Sequence, residues 1–325
     1  MVELYSIAYY ILIAAVLIIG IIIYLKMAEK WSIIDQPNSR SSHLVVTKRG
    51  GGIIYLIALV IYMISSNFNM PSIIICGLLL GIMGFIDDNK NLDFKIKLII
   101  QCITIGYFLS TGSYNGLEWY LLILMFFLII SSINILNFMD GINGLTILYS
   151  LSFLISFYII NAHIIAFTDS NFLLIVILSN LIIGYFNIRK KAVCFLGDVG
   201  AITMGFIYAV LTITLILKTN SLSPLILFLV YFLDSGWTIV ERLLAKENIF
   251  HPHRKHLYQL LVNEYKLSHL LVASIYFSIQ ALINITWLLN YEKDLSPIIL
   301  ISIFGIFSVV YLLTKKILNK KLDLT

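Results

Sequence analysis

Long apolar runs alternate with short polar segments along the whole chain. Eleven runs approach the length of about 17–25 residues at which an α-helix crosses a bilayer. They lie at 4–25, 51–67, 70–86, 95–111, 117–136, 144–161, 171–188, 200–217, 222–244, 267–290 and 296–314. The pattern predicts an all-α polytopic integral membrane protein with about eleven transmembrane helices. No soluble domain or low-complexity tract interrupts it, so residues 1–325 are interpreted as a single membrane-embedded domain.

The composition agrees with this pattern. The 325-residue chain is 60% hydrophobic and 12% charged, whereas a soluble domain is about 25% charged. The cysteines Cys76, Cys102 and Cys194 are widely spaced and odd in number, which predicts neither a disulfide framework nor a zinc site. No basic segment precedes the first apolar run, so we expect that run to be a retained helix and not a cleaved signal peptide.

The basic residues divide unequally between the two sets of loops. If the N-terminus lies outside, only Lys218 and Lys293 of the 22 Lys and Arg residues fall in outside segments. The positive-inside rule therefore predicts an external N-terminus and a cytoplasmic C-terminus. Acidic and amide residues fall in the same inside segments, which favours a site at the cytoplasmic face. A transporter would more often carry polar groups near the midplane, where Asn180 and Asp234 are the few candidates.

Two adjacent carboxylates, Asp87 and Asp88, stand where the third run meets water. An aspartate costs about 2.5–3.5 kcal/mol at the middle of a membrane helix, and the helix dipole disfavours negative charge near a helix C-terminus. A bound cation or a transferring phosphate would explain the pair, and the alternative is a solvated acidic loop. Lys95 and Lys97 follow. Phosphoryl-transfer sites commonly combine acidic residues that bind a metal ion with basic residues that bind phosphate.

The first inside loop, residues 35–53, ends in three glycines, Gly50 to Gly52. Glycine lets the backbone approach a ligand or a neighbouring helix closely. Arg40, Lys48 and Arg49 could meet phosphate. Taken alone, the loop is better interpreted as a positive-inside anchor beside a helix start rich in small residues.

The segment from 134 to 145 carries polar residues at a spacing of three, namely Asn134, Asn137, Asp140 and Asn143. On a helical turn these side chains lie near one face, and Gly141 and Gly144 break the helix so that its backbone can line a cavity. Polar groups between two apolar spans are costly unless they bind something. The alternative is hydrogen bonding between helices.

Two further segments carry candidate chemistry. Asp198 stands between glycines at the start of the eighth run, where a carboxylate can cap the helix or bind Mg²⁺ together with substrate phosphates. The last large loop contains three histidines and two cations, which are His251, His253, His256, Arg254 and Lys255. No cysteine or carboxylate completes a zinc site there, so phosphate binding is the better interpretation. His43, His163 and His269 are isolated.

Together these segments resemble a known membrane family, the polyprenyl-phosphate N-acetylhexosamine-1-phosphate transferases that include WecA, TagO, WbpL and MraY. The matching pieces are the SSH…TKRGGG loop, the Asp87-Asp88 pair, NILNFMDGINGL, FLGDVG, the Asp234…Arg242 helix end and the histidine-rich loop. They occur in family order through nearly the whole chain. Each motif is weak alone, but their combination at one face is specific.

The resemblance implies a reaction and its partners. Undecaprenyl phosphate attacks the sugar-bearing phosphorus of a UDP-N-acetylhexosamine, UMP leaves, and the lipid-linked product starts a cell-surface polysaccharide such as O-antigen, capsule or cell-wall polymer. The implied cofactor is Mg²⁺, with Mn²⁺ as a substitute, and the implied location is the bacterial cytoplasmic (inner) membrane. We expect no nucleic-acid partner, and a homodimer is a further candidate assembly.

The resemblance also implies residue roles. Asp198 and Asn137 look like metal–diphosphate ligands, and Asp87 and Asp88 look like the pair that positions or deprotonates the lipid phosphate. With Asp198 they form the expected catalytic set. The expected substrate contacts are Lys97 to phosphate, Asp140 and Asn143 to nucleotide or sugar, and His253, Arg254 and His256 to diphosphate and sugar. Further expected substrate contacts are Asn134, Asn137 and Arg49.

The chain departs from parts of the family pattern. Asn143 stands where MraY and many WecA-like members have aspartate, and the last loop reads HRKHLYQ in place of HLHHR. The loop looks closest to the WbpL-like branch, which implies a 6-deoxy N-acetylated sugar with Tyr258 offering a flat face to it and Gln259 an amide. The alternatives are a transferase specific for UDP-GlcNAc, a phospho-MurNAc-pentapeptide transferase and, from another class, a transporter of lipid-linked sugar.

Overall fold

A computed structural model describes residues 2–37, 42, 45–111, 114, 116–249, 253–291 and 296–322, with only the backbone described for residues 2–6. The helices are α1 Val2–Lys30, α2 Ile53–Ser65, α3 Pro71–Lys90, α4 Phe94–Thr111, α5 Trp119–Met139, α6 Leu145–His163, α7 Ser170–Asn187, α8 Gly197–Thr219, α9 Leu229–Leu244, α10 Leu257–Asn263, α11 His269–Leu289 and α12 Pro297–Leu322. A 3₁₀ helix, Ser223–Phe228, precedes α9, and the two-residue strands β1 (Ile34–Asp35) and β2 (Thr47–Lys48) pair antiparallel.

Each predicted apolar run contains a helix. Within the described ranges, ten helical segments are long and apolar enough to cross a membrane, counting the 3₁₀ helix and α9 as one. The remaining run contains α2, which has 13 residues. The chain is therefore a polytopic, mostly helical membrane protein, while the number of crossings and their direction stay predictions. The short α10 and the strands were not predicted.

Several helices extend further towards the polar motifs than predicted. α3 continues four residues beyond 86 and ends at Lys90, before Asn91 adopts a left-handed backbone with φ +48°. α5 includes Asn137, and α8 begins at Gly197 instead of 200. The alternative considered for Asp87 and Asp88, a solvated acidic loop, is thus wrong: both lie in the last turns of α3 and are buried.

α8 forms the centre of the bundle. Its most apolar 18-residue window is 89% buried, the largest share among the described spans, and the helix packs mainly against α3 and α5. Gly52, at the start of α2, lies against Gly200 of α8, where a methyl group on either residue would overlap the other backbone. Of the two expected uses of the glycine triplet, Gly52 therefore serves close approach to a neighbouring helix.

Asn180, one of the two midplane candidates, is bonded within the protein. It is fully buried in α7, accepts a hydrogen bond from the Tyr55 hydroxyl at 2.8 Å and donates one to the Ile147 carbonyl at 3.0 Å. A buried polar side chain with such partners contributes to helix association. It gives no support to a transport site at this depth.

Backbone hydrogen bonds join the first inside loop to the segment before α8. The Phe195 amide donates to the Lys48 carbonyl, and the Gly51 amide donates to the Phe195 carbonyl, each at 2.8 Å. The Gly52 amide donates to the Leu196 carbonyl, also at 2.8 Å. This ladder holds Arg49 beside the first turn of α8. We call this end of the bundle, where α3 and α5 end and α8 begins, the site end.

The topology can be tested by cysteine labelling in intact cells. We expect a cysteine introduced by Leu318→Cys, near the end of α12, to resist a membrane-impermeant thiol reagent added outside, because the basic-residue distribution predicts that this end is cytoplasmic. Leu222→Cys, in the turn before the 3₁₀ helix, is the matched positive control, since it is exposed at the opposite end. External labelling at position 318 would contradict the predicted orientation.

Candidate active site

Asp88 is the anchor of the site end. Its side chain is fully buried, and Oδ1 lies 2.7 Å from Nε of Arg49. The carboxylate also accepts two backbone hydrogen bonds from the first turn of α8, from Asp198 N–H at 2.9 Å and Val199 N–H at 3.1 Å. The partial positive charge at a helix N-terminus stabilises an anion. Asp88 therefore joins the end of α3, the start of α8 and the first loop.

The residue that caps α8 is Asp88 and not Asp198, whose own side chain makes no cap bond. This arrangement needs a glycine at position 197, where φ is +77° and a methyl group would lie 2.5 Å from Oδ2 of Asp88. The expected alternative, that Asp198 is only a helix cap, is wrong. The Asp198 carboxylate takes no part in capping the helix.

Asp87 and Asp198 share a second cation. Lys97, in α4, lies 2.6 Å from Oδ2 of Asp87 and 3.9 Å from Oδ2 of Asp198. Arg49 reaches the other oxygen of Asp198 at 3.3 Å. The Asp198 side chain is 18% exposed, compared with 5% for Asp87 and none for Asp88. Asp198 is therefore the most accessible carboxylate of the three.

A cavity of about 210 Å³ opens at Asp198. Of the predicted site residues, Arg49, Asn137, Asp140, Asn143 and Asp198 line it. The structure thus brings together the loop after β2, the end of α5 and the start of α8. Asp87, Asp88 and Lys97 lie behind this surface and hold it in place through the ion pairs described above.

Asn143 has one buried atom without a partner. The side-chain amide donates to the Arg189 carbonyl at 2.9 Å, but the amide oxygen Oδ1 has no hydrogen-bond partner among the described residues. An unpaired buried acceptor costs about 1–3 kcal/mol. Since Asn143 borders the cavity, a ligand donor there would recover this energy.

Asp140 follows α5 and faces the same cavity. Desolvation by the surrounding protein, reinforced by the negative charge of Asp88, raises the pKa of Asp140 to about 7. The Arg49 guanidinium opposes this rise. A carboxyl group with a pKa near neutrality is under-compensated in charge, and a cation in the cavity would favour its ionised form.

Asn134 does not reach the cavity lining. Its amide donates to Oε1 of Gln101 in α4 at 3.1 Å and to the Ile130 carbonyl at 2.7 Å. The interhelical hydrogen bonding considered for this segment thus occurs at Asn134. The predicted substrate contact of Asn134 stays a prediction, without support from its present bonds.

The last large loop leads into α10, which is held by Asp234 of α9. The Asp234 carboxylate is 1% exposed and accepts hydrogen bonds from the amides of Leu257 at 2.9 Å and Tyr258 at 3.4 Å. It also accepts from the hydroxyls of Tyr276 at 2.5 Å and Tyr311 at 3.0 Å. This second midplane candidate is therefore bonded within the protein, like Asn180.

The predicted sugar loop is only partly at the cavity. His256 is 2% exposed, with Nδ1 3.4 Å from Oδ1 of Asp234, and Tyr258 is 1% exposed, so the expected flat face of Tyr258 towards a sugar is wrong. Gln259 does line the cavity. His253 and Arg254 are not among the lining residues, and their contacts to diphosphate stay predictions.

His253 differs from a phosphate-binding cation. Burial, together with the charges of His256, Arg242 and Lys255, lowers the pKa of His253 to about 4. The His253 imidazole is therefore neutral at pH 7. Of the two neighbouring residues His253 and Arg254, only Arg254 provides a positive charge. Arg40, His43 and His251 lie outside the described residues.

Sequence reasoning did not name four of the polar lining residues as site residues, which are Asp35, Ser42, Asn187 and His269. Asn187 accepts from the Gly144 amide at 2.7 Å and donates to the Cys194 carbonyl at 3.0 Å. His269, which was considered isolated, accepts from the Asn143 amide at 3.3 Å and contacts the Ser42 carbonyl at 2.9 Å. The sequence did contain a signal for Asn187, because it is an amide residue at the end of an apolar run, shortly before the basic residues 189–191.

The described residues contain no preformed group of three His, Cys, Asp or Glu side chains able to hold a metal ion. Such a cage is not needed for Mg²⁺, which usually binds through one or two carboxylates plus substrate phosphates. Asp198 and Asn137 both face the cavity and provide oxygen ligands. If ionised, Asp87, Asp88 and Asp198 carry three negative charges against two on Arg49 and Lys97. These residues therefore fit a bound divalent cation.

Removing Arg49 should destabilise the fold. Arg49→Ala leaves the Asp88 carboxylate buried without a cation, which costs about 3 kcal/mol, the lower end for a broken buried pair, because Arg49 is 26% exposed. The measurement is thermal unfolding of the purified protein in detergent. Lys48→Ala is the matched control, since Lys48 pairs with the exposed Glu29, and no measurable change is expected there. Equal losses in both variants would contradict the anchoring role of Arg49.

Comparison with known proteins agrees with the motifs. Residues 70–216 match the model of Glycosyl transferase family 4. The chain is 26% identical over 267 residues to a "Probable undecaprenyl-phosphate N-acetylglucosaminyl 1-phosphate transferase" of Bacillus subtilis (strain 168), a match that covers 75% of this chain and 73% of that protein.

Two streptococcal proteins, each named "Phospho-N-acetylmuramoyl-pentapeptide-transferase", also match. The chain is 30% identical over 204 residues to that of Streptococcus agalactiae serotype Ia, covering 51% of this chain and 58% of the relative. It is 29% identical over 236 residues to that of Streptococcus gordonii, covering 61% and 70%. The family model and these relatives support the resemblance, seen in the sequence, to the WecA/TagO/MraY-like family of polyprenyl-phosphate hexosamine-phosphate transferases.

Proposed function

We propose that this protein transfers an N-acetylhexosamine 1-phosphate from a UDP-sugar to undecaprenyl phosphate, releases UMP and thereby starts a cell-surface polysaccharide. The observation that carries the proposal is the Asp198 carboxylate, which faces the cavity between Arg49 and Lys97. The names of the relatives, which mention undecaprenyl phosphate and N-acetylated sugars, support the substrate class.

The cavity charges suit a diphosphate and a cation together. Asp198 and Asn137 would hold Mg²⁺, and the bound ion would neutralise charge on the diphosphate as the bond to UMP breaks. The planar guanidinium of Arg49 can donate N–H hydrogen bonds to a phosphate oxygen. Lys97 places an ammonium, held by Asp87, beside Asp198. Charge neutralisation and positioning are the main demands of phosphoryl transfer.

The attacking lipid phosphate needs little activation. The second pKa of a phosphate monoester is about 6, so most of it is doubly ionised at pH 7. Asp87 and Asp88 are committed to Lys97, Arg49 and the start of α8. Their contribution is best described as holding these groups in position, and neither is assigned as the base.

The membrane setting follows from the same reasoning. The site end carries the basic segments that the positive-inside rule assigns to the cytoplasm, and UDP-sugars are cytoplasmic donors in this reaction class. We propose a multi-pass protein of the bacterial inner membrane with its active site on the cytoplasmic face. A lipid-linked sugar transporter is the rival, and the protein-bonded Asn180 and Asp234 give it no support.

Replacing Asp198 should abolish most of the turnover. Asp198→Asn removes the accessible negative charge without changing shape, and we expect a loss on the order of 10²–10³-fold in kcat, about 3–4 kcal/mol of transition-state stabilisation. The measurement is UMP release by purified enzyme over a range of Mg²⁺ and Mn²⁺ concentrations. Asp93→Asn, an exposed aspartate in the α3–α4 turn, is the control. Near-normal turnover and metal dependence in Asp198→Asn would rule out its metal role.

A panel of UDP-sugars with purified enzyme and undecaprenyl phosphate tests the donor. Following the WbpL-like loop, we expect the highest kcat/KM with a 6-deoxy N-acetylhexosamine. An apolar pocket rejects an added hydroxyl only by about a hundredfold, so some turnover of UDP-GlcNAc and UDP-GalNAc is expected. A strong preference for UDP-GlcNAc would overturn the branch assignment, and no turnover of any donor would overturn the proposed function.

A further inference from the structure

Tyr258 connects α10 to the segment that bears two of the cavity residues. Its hydroxyl donates to the Phe138 carbonyl at 2.9 Å, although the two residues are 120 positions apart in the chain. The tyrosine is 1% exposed and is not part of the cavity lining. Any effect of Tyr258 on a substrate must therefore be transmitted through the residues that it contacts.

The contacted segment is the last turn of α5 and the start of the following loop. The Phe138 carbonyl belongs to the last four of this helix, which have no partner within the helix. Asn137 precedes it, and Asp140 and Gly141 follow, and all three line the cavity. A methyl group on Gly141 would overlap the phenol oxygen of Tyr258. The phenol therefore lies directly against the backbone that carries Asn137 and Asp140.

Tyr258 is itself held by a carboxylate that connects three helices. The Asp234 carboxylate of α9 accepts a hydrogen bond from the backbone amide of Tyr258. The same carboxylate accepts hydrogen bonds from the hydroxyls of Tyr276 in α11 and Tyr311 in α12. These bonds fix the start of α10 relative to three membrane helices. A hydrogen-bond donor on such a support has little freedom, so it can define the position of the carbonyl that it meets.

We infer that Tyr258 is a positioning residue, which fixes Asn137 and Asp140 in the cavity by its hydrogen bond to the Phe138 carbonyl. For the reaction itself this inference rests on the proposed function, but the contact with Phe138 does not. The neighbouring Gln259 lines the cavity directly. α10 thus serves the site in two ways, through the half-buried side chain of Gln259 and the buried hydroxyl of Tyr258.

The test is Tyr258→Phe, which keeps the ring and removes only the hydroxyl. Loss of the bond leaves the Phe138 carbonyl without that donor, so we expect amide hydrogen exchange in a peptide covering 138–145 to become about tenfold faster. We expect kcat to fall about tenfold while KM for the UDP-sugar changes less than about twofold, since misplacement weakens catalysis more than ground-state binding.

Tyr62→Phe is the matched control. Tyr62 is equally buried and donates a hydrogen bond to Asp169 at 2.8 Å, at the end of the bundle opposite the site. We expect it to leave exchange in 138–145 and kcat unchanged. The inference is overturned if Tyr258→Phe does not accelerate that exchange, or if its loss of kcat is no larger than that of Tyr62→Phe.

A second variant guards against a trivial folding defect. Gly141→Ala places a methyl group against the phenol oxygen, and adding Tyr258→Phe removes that oxygen. Because the two residues touch, the double variant should lose less activity than the product of the single losses. Independent effects would contradict the contact. If wild-type enzyme shows no transferase turnover, the proposed function fails, and the exchange comparison still decides whether Tyr258 positions the segment.

Discussion

The site end depends on one buried carboxylate placed between two helix ends. Asp88 stands near the C-terminus of α3, where the helix dipole opposes negative charge, yet it faces the N-terminus of α8 and accepts two of its free amides. The Arg49 guanidinium supplies the remaining compensation. The Asp88 carboxylate, which is unfavourable at the end of its own helix, is thus stabilised by the start of another helix. These interactions fix α3, α8 and the first loop relative to one another.

The anchoring by Asp88 gives different roles to the aspartates of the site. Asp88 and Asp87 are enclosed and bonded to cations and amides, whereas Asp198, Asp140 and Asn143 face the cavity. The enclosed acids set the positions of Arg49 and Lys97. Among the groups that face the cavity, Asp140 has unbalanced charge and Asn143 has an unused acceptor. Local structure, more than residue type, therefore decides which aspartate can act on a substrate.

The sequence was a good guide wherever a single physical rule dominated. Hydrophobic length located all eleven runs, and the grouping of motifs at one end predicted the meeting of Arg49, Asn137, Asp140, Asn143 and Asp198. It could not separate enclosed from exposed acids, because Asp87 and Asp88 differ only in partners from distant segments. It misjudged Tyr258, which is buried where its amide meets Asp234, and it missed His269, whose two contacts lie 126 and 227 positions away in the chain.

The ladder between the first loop and the segment before α8 is made of backbone atoms alone. The side chains of Thr47 and Lys48 can therefore diverge without breaking these hydrogen bonds, whereas Arg49 is tied to Asp88 and a methyl group at Gly51 or Gly52 would overlap neighbouring residues. Chain length is constrained more tightly, because the Lys48 carbonyl and the Gly51 and Gly52 amides bond to the consecutive residues 195 and 196. A residue inserted or deleted between Lys48 and Gly52 would break this register and displace Arg49 from Asp88 and Asp198. Natural variation in this loop should thus occur as exchanges at positions 47 and 48 and as changes of length only upstream of β2.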